Sequence, residues 1–177
     1  MKRSTIIAAL ALTVAAQGML GSCSRTQKRV EEVTHFELNS MDGVLAGSCV
    51  AVDSTVSSDG TASLKITSEG PMTVHLFELG DIDIENAKLV YRAMLRSKKL
   101  SGKAWLEMTA VFKNGGETVS RGVDRPAAGT SEWTTYEIMF LFKKKENPRN
   151  VKLDLVIEGK GTVWIDDILI LKGPPII

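Results

Sequence analysis

The stretch Val151–Leu171, "VKLDLVIEGKGTVWIDDILIL", decides the fold class. In its first half Val151, Leu153, Leu155 and Ile157 alternate with Lys152, Asp154 and Glu158, the period-two pattern of a strand with one face in a core. Its second half, Gly161–Leu171, is apolar on both faces except for Asp166 and Asp167. The intervening Gly159-Lys160-Gly161 accepts positive φ at little cost and predicts a turn that pairs the final strand back against Val151–Glu158. Adjacent strand residues point to opposite faces, so one of the two aspartates is expected to face inward and to need hydrogen bonds or a cation, and the other to face outward.

The same alternation recurs upstream with no sustained helical period. Candidate strands are 33–39, 48–54, 62–68, 72–79, 87–97, 103–113, 117–123, 133–142, 151–158 and 161–171, with Asp59-Gly60 and Asn114-Gly115-Gly116 among the turns. Ten short strands at this spacing predict an all-β sandwich or barrel. In the segment 103–113, Ala104, Leu106, Met108, Ala110 and Phe112 are expected inward, which leaves Trp105, Glu107, Thr109 and Val111 outward.

The N-terminus carries a different kind of information. Lys2 and Arg3 precede an apolar stretch, Ile6–Leu20, too short to span a bilayer as a helix of roughly 20 residues, and the pattern is that of a signal peptide over residues 1–22. It closes on Leu20-Gly21-Ser22-Cys23, which resembles the lipobox of bacterial lipoproteins. That resemblance implies acylation of Cys23, a membrane-anchored but non-spanning chain, and, from Ser24 in place of a retaining aspartate, the outer membrane of a bacterial envelope. Several acyl chains at about 0.8 kcal/mol per buried methylene hold a protein firmly at a bilayer. Cys49 is then left as a small hydrophobe in a strand; cleavage elsewhere would instead permit a bridge to Cys23.

Residues 23–32 are polar and charged, a tether ahead of a domain spanning 33–172 and a short tail at 173–177. The full chain has a formal charge of +1, and removal of Lys2 and Arg3 with the signal makes it −1. Neither value supports a nucleic-acid partner. About 155 mature residues suffice for one core.

The strand pattern also resembles the carbohydrate-binding-module-like jelly rolls of the galactose-binding-domain type. The likeness runs through Phe36-Glu37, "SSDGTASLKI" (Ser57–Ile66), "SEWTTYEIMF" (Ser131–Phe140) and the closing stretch, and covers most of residues 33–172. It implies a jelly-roll β-sandwich of two antiparallel sheets, four to five strands each. It also implies a structural calcium held by the Glu37 carboxylate, backbone carbonyls of the turn Asp59–Thr61 and Asp166, which the family's spacing makes the inward aspartate of the pair; such oxygen donors suit a hard cation. Hydrogen bonds from loop amides are the alternative way to satisfy Asp166.

Catalytic constellations are thin. His35 and His75 lie in separate strands without metal-ligand spacing, no G-x-S-x-G elbow occurs, and Cys49 sits in an apolar run. Glu107 and Glu137 are a carboxylate pair of unknown separation, and the expectation is a non-catalytic protein. Trp105, Glu107 and Arg121 are the candidate ligand-binding residues: an aromatic to stack on a sugar ring, with a carboxylate and a guanidinium to fix its orientation. Asn114–Gly116 should turn 103–113 back onto 117–123 and bring Arg121 towards Glu107. The alternative for Trp105 is packing under the loop 122–132. The expected partner is a carbohydrate, or an envelope protein docking on the same face; the sequence carries no signal of oligomeric state.

Overall fold

A computed structural model describes residues 29–80 and 82–175. Among the described residues nine antiparallel strands run β1 (Glu31–Phe36), β2 (Val50–Asp53), β3 (Ser63–Glu69), β4 (Met72–Gly80), β5 (Ala87–Val111), β6 (Glu117–Arg121), β7 (Ala127–Phe142), β8 (Asn150–Glu158) and β9 (Lys160–Gly173). Among the described residues no helix is long and apolar enough to cross a membrane. The signal stretch and Cys23 lie outside the described residues.

The sheet follows the order β2-β3-β9-β5-β8-β4, with β1 added to β9 and with β6 and β7 added to β5. It curls into the two layers of a jelly-roll sandwich because β5 serves both. Its first half, Lys88–Lys98, pairs with β9, and its second half, Lys103–Val111, pairs with β8. The two segments expected as separate strands, 87–97 and 103–113, are therefore one strand of 25 residues. Bulges between Leu95 and Lys103, with Lys99 at φ 53°, bend it without ending it. They also change which parity faces the core: Leu89, Tyr91, Ala93 and Leu95 before the bend, Ala104, Leu106, Met108 and Ala110 after it, all at most 1% exposed.

The Gly159-Lys160-Gly161 segment does not make the expected hairpin. β8 and β9 are each paired to β5 but not to one another, so this link carries the chain from one layer to the other. It passes hard against the bend in β5. A Cβ on Gly102 would fall on the carbonyl oxygen of Glu158, and one on Gly161 would lie 2.7 Å from Leu100 Cα. Only glycine permits that approach. β7 is longer than expected as well. Ala127–Ser131, within the anticipated loop 122–132, continues the ladder to β5, with Ala127 buried and Ser131 hydrogen-bonded to Ser97 at 2.9 Å.

The core is formed by Leu64 and Ile66 of β3, Leu153, Leu155 and Ile157 of β8, the inward residues of β5, and Ile138, Phe140 and Phe142 of β7. Its depth, with most of these side chains fully enclosed, is the main source of stability at roughly 25 cal/mol per Å² of apolar surface removed from water.

The aspartate pair of β9 resolves into two roles. Val163 and Ile165 join the core, then Ile168 and Ile170; the parity switches at Asp167, whose φ is 51°. Asp166 thus shares the outward side of Trp164 and is buried by the segment between β2 and β3, not by the sandwich interior. The Ser58 amide and hydroxyl donate to its Oδ2 at 2.7 and 2.8 Å, and the Asp167 amide donates to its Oδ1 at 2.9 Å. Asp167 itself meets His35 Nε2 at 2.6 Å on the surface.

Burial raises the Asp166 pKa above its ordinary 3.8 against the lowering effect of the Ser58 amide and hydroxyl and the Asp167 amide, with the charge of Asp59 adding to the rise. The native state therefore holds this proton more tightly than the unfolded chain. Its contribution to stability is full below about pH 3.8 and is lost as pH rises through the raised native value. Urea midpoints of the wild type and Asp166→Asn should show it: the wild type gains relative to the variant as pH falls across that window. Ser58→Ala, which withdraws one donor from a buried carboxylate, should lower stability by about 1–3 kcal/mol at neutral pH.

Candidate functional site

Glu107 and Arg121 stand directly opposite each other on β5 and β6, and the Arg121 Nε donates to Glu107 Oε2 at 2.6 Å. Trp105 does not join them as an exposed ring. It is 8% exposed, because the chain leaving β6 folds over it: the Gly122 amide donates to the Leu106 carbonyl at 3.0 Å, and a Cβ at Gly122 would lie 3.7 Å from Trp105 Cβ. Its indole N–H is buried without a partner. The expectation of an outward-facing stacking platform is thereby corrected. Thr109 and Val111, also expected outward, are buried as well.

The ladder registers extend the Glu107–Arg121 pair into a row across four strands, His75–Asp154–Glu107–Arg121. His75 Nδ1 lies 2.6 Å from Asp154 Oδ1 and its Nε2 lies 3.0 Å from Glu78 Oε1. Burial raises the Asp154 pKa and Glu107 adds to the rise, while the hydrogen bond and charge of His75, and then the charge of Lys152, pull it down. Sequence reasoning missed this row because His75 and Asp154 are 79 residues apart and meet only through the β4–β8 register. Each side chain in it is spent on a neighbour, so the row stitches the sheet and offers few free polar groups.

The open feature is a groove along the seam between β6 and β7. Each pairs with β5 alone, at different levels of its length, and the two are joined by the Ser120 hydroxyl donating to the Met139 carbonyl at 3.0 Å. On one side of this bond the seam widens into a groove of about 710 Å³. Leu106 and Ile138 lie at its base, with Arg121, Asp124, Arg125 and Tyr136 around them. Burial raises the Tyr136 phenol pKa and the Arg125 charge counters it. On the other side lies a second depression of about 600 Å³ over Phe112, Phe140 and Phe142. Of the three expected ligand-binding residues, Arg121 alone lines the groove. Tyr136 packs half-buried against the core, as its alternation with aliphatic neighbours would have it, and also lines the groove.

Glu37, Asp59 and Asp166 are not gathered around one point; among the described residues no three His, Cys, Asp or Glu side chains are. Glu37 Oε2 accepts from Asn39 Nδ2 at 3.2 Å and Asp59 Oδ1 from the Thr61 amide at 2.8 Å, while Asp166 is held by Ser58 and Asp167.

No family model and no curated protein matches the chain. Solved structures do. The CBM22-1 xylan-binding domain of Paenibacillus barcinonensis Xyn10C superposes with a TM-score of 0.61 at 18% identity, over 84% of this chain and 99% of that one. A family 16 carbohydrate-binding module gives 0.57 at 15% identity, over 75% and 92%. The C-terminal family 22 module of Clostridium thermocellum Xyn10B gives 0.56 at 9%, over 82% and 97%. The chain shares the jelly-roll fold of these modules.

The burial of Trp105 has a direct consequence. Trp105→Ala should destabilise the fold by roughly 3–5 kcal/mol in urea unfolding, the range for deleting a core aromatic. Trp105→Phe, which removes the unpartnered N–H and keeps an aromatic ring, should recover most of that loss.

Proposed function

We propose that the chain is a non-catalytic carbohydrate-binding domain of the bacterial envelope, held at the membrane by acyl groups on Cys23. The observation that carries the binding role is the β6–β7 groove: an aromatic side chain, two guanidiniums and two carboxylates line it over an apolar base. Sugar recognition uses that combination, with ring C–H faces laid on aromatic or aliphatic surface and vicinal hydroxyls taken by planar bidentate groups. The fold supports the reading, since the modules it resembles include a xylan-binding domain. In this role Tyr136 supplies the stacking surface and Arg121, Asp124 and Arg125 fix ring orientation. The Glu107 ion pair holds Arg121 in place.

A protein partner is the second reading, and one feature favours it: Val119, Val123, Met139 and Leu141 are 37–51% exposed along or beside the same seam. Exposed apolar side chains grouped in this way mark protein interfaces.

A glycan array with the Cys23→Ser chain separates the two. Binding to a neutral polysaccharide that weakens at least tenfold in Tyr136→Ala, with an unchanged melting midpoint, is expected; no glycan signal for the wild type sinks the carbohydrate role. Anchoring has its own check. The wild type should partition with membranes and incorporate labelled palmitate, and Cys23→Ser should appear in the soluble fraction without label.

A further inference from the structure

A second recess lies away from the seam, on the outward side of β3, β9 and β5. The ladder registers set out its floor. Lys65, Trp164 and Arg96 form one cross-strand row, Thr67, Thr162 and Lys98 the next, and Glu69 and Lys160 the third. With Lys99, all of these side chains except Arg96 line a recess of about 340 Å³ beside the Trp164 indole. Lys65 Nζ and the Arg96 guanidinium lie 5.9 and 6.0 Å from that ring, and the Trp164 Nε1–H donates to Asp53 Oδ2 at 3.0 Å.

The charge here is not a reflection of overall basicity, since the whole chain carries a formal +1. Four lysines line the recess, Lys65, Lys98, Lys99 and Lys160, with the Arg96 guanidinium near the Trp164 ring. Arg96 meets Glu132 at 3.3 Å and Lys160 meets Glu69 at 2.5 Å, but Glu132, Glu69 and Lys160 are well exposed, and such pairs are weak enough to be exchanged for a ligand. Lys98 and Lys99 form no ion pair among the described residues.

The backbone gives an independent observation. Consecutive strand residues normally point to opposite faces, yet Lys98 and Lys99 both line this recess. Lys99 achieves this in the left-handed region, φ 53°, a conformation that residues with a side chain disfavour. It is held there by the close pass of Gly161 and by its own amide, which donates to Thr130 Oγ1 at 3.0 Å. Strain of this kind gathers at binding sites.

We propose that this recess binds the carboxylate of a uronic acid residue in an acidic polysaccharide, as a second subsite distinct from the β6–β7 groove. Lysines at two sides supply the counter-charge, the hydroxyls of Thr67 and Thr162 face ring hydroxyls, and the Trp164 edge closes one wall. A membrane surface fits less well, because none of the exposed large hydrophobic side chains among the described residues lines the recess, and peripheral membrane sites pair basic charge with inserted apolar groups. The proposal rests on the carbohydrate-binding reading of the domain.

The test is calorimetric titration of the Cys23→Ser chain with a hexamer of galacturonic acid and with a hexamer of galactose. The uronate should bind at low salt and weaken several-fold as ionic strength rises towards about 0.15 M, where the screening length is about 8 Å. The double variant Lys98→Ala/Lys160→Ala should lose at least tenfold in uronate affinity with an unchanged melting midpoint, and Tyr136→Ala should leave it within twofold. The proposal is overturned if the wild type gives no uronate signal at low salt, if the galactose hexamer binds equally, or if the double variant matches the wild type. Lysine-dependent sedimentation with anionic phospholipid vesicles, without uronate preference, overturns it in favour of a membrane-facing patch. Uronate loss with retained neutral-glycan binding overturns this subsite alone; loss of both overturns the carbohydrate reading as well.

Discussion

The close pass of two bent segments, Lys98–Gly102 of β5 and Glu158–Gly161 between β8 and β9, is the constraint on which the rest of the architecture depends. β5 contributes to both layers, so the chain must change layer at its midpoint, and β8 must release into β9 at the same level to keep both halves paired. Two backbones can pass that closely only where no Cβ intervenes, which is why Gly102, Gly159 and Gly161 cluster there. The bulges that accompany the bend reset the alternation, so that hydrophobic residues of both halves reach one core.

That junction also shapes the surface. By bending β5 it separates β6 from β7, because one pairs with the second half of β5 and the other mainly with the first. The groove is the gap left between them. The same bend tips Lys98 and Lys99 over the outer side of β9 and creates the basic recess. Both candidate sites are thus products of one crossing. The face that alternation marked as outward is largely closed instead, by Gly122 and its neighbours over Trp105 and by the hydrogen-bonded row from His75 to Arg121.

Much of the fold was legible in the chain. Strand positions for β3, β4 and β8 followed from alternation to within a residue or two, and the inward set Val151, Leu153, Leu155 and Ile157 is fully buried. The opposition of Glu107 and Arg121 followed from the turn at Asn114–Gly116. Trp105 illustrates the limit. Alternation gives the side of a strand a residue occupies, but what covers that side comes from residues distant in sequence, here the segment after β6. Asp166 shows the same thing: its need for partners was evident, while the identity of Ser58 as the donor depends on a loop 108 residues away.

The sequence by itself determined an all-β chain with short alternating strands, turns at its glycines and a near-neutral charge. Those properties are local, set by side-chain period, backbone permissiveness and composition. Only the tertiary structure decided that 87–111 is a single strand shared by two layers, that Gly159–Gly161 crosses between layers without forming a hairpin, and that Tyr136 and Arg121 share a groove while Trp105 lies beneath a loop. These depend on which strands pair and in what register, and register is fixed by the packing of the whole core at once.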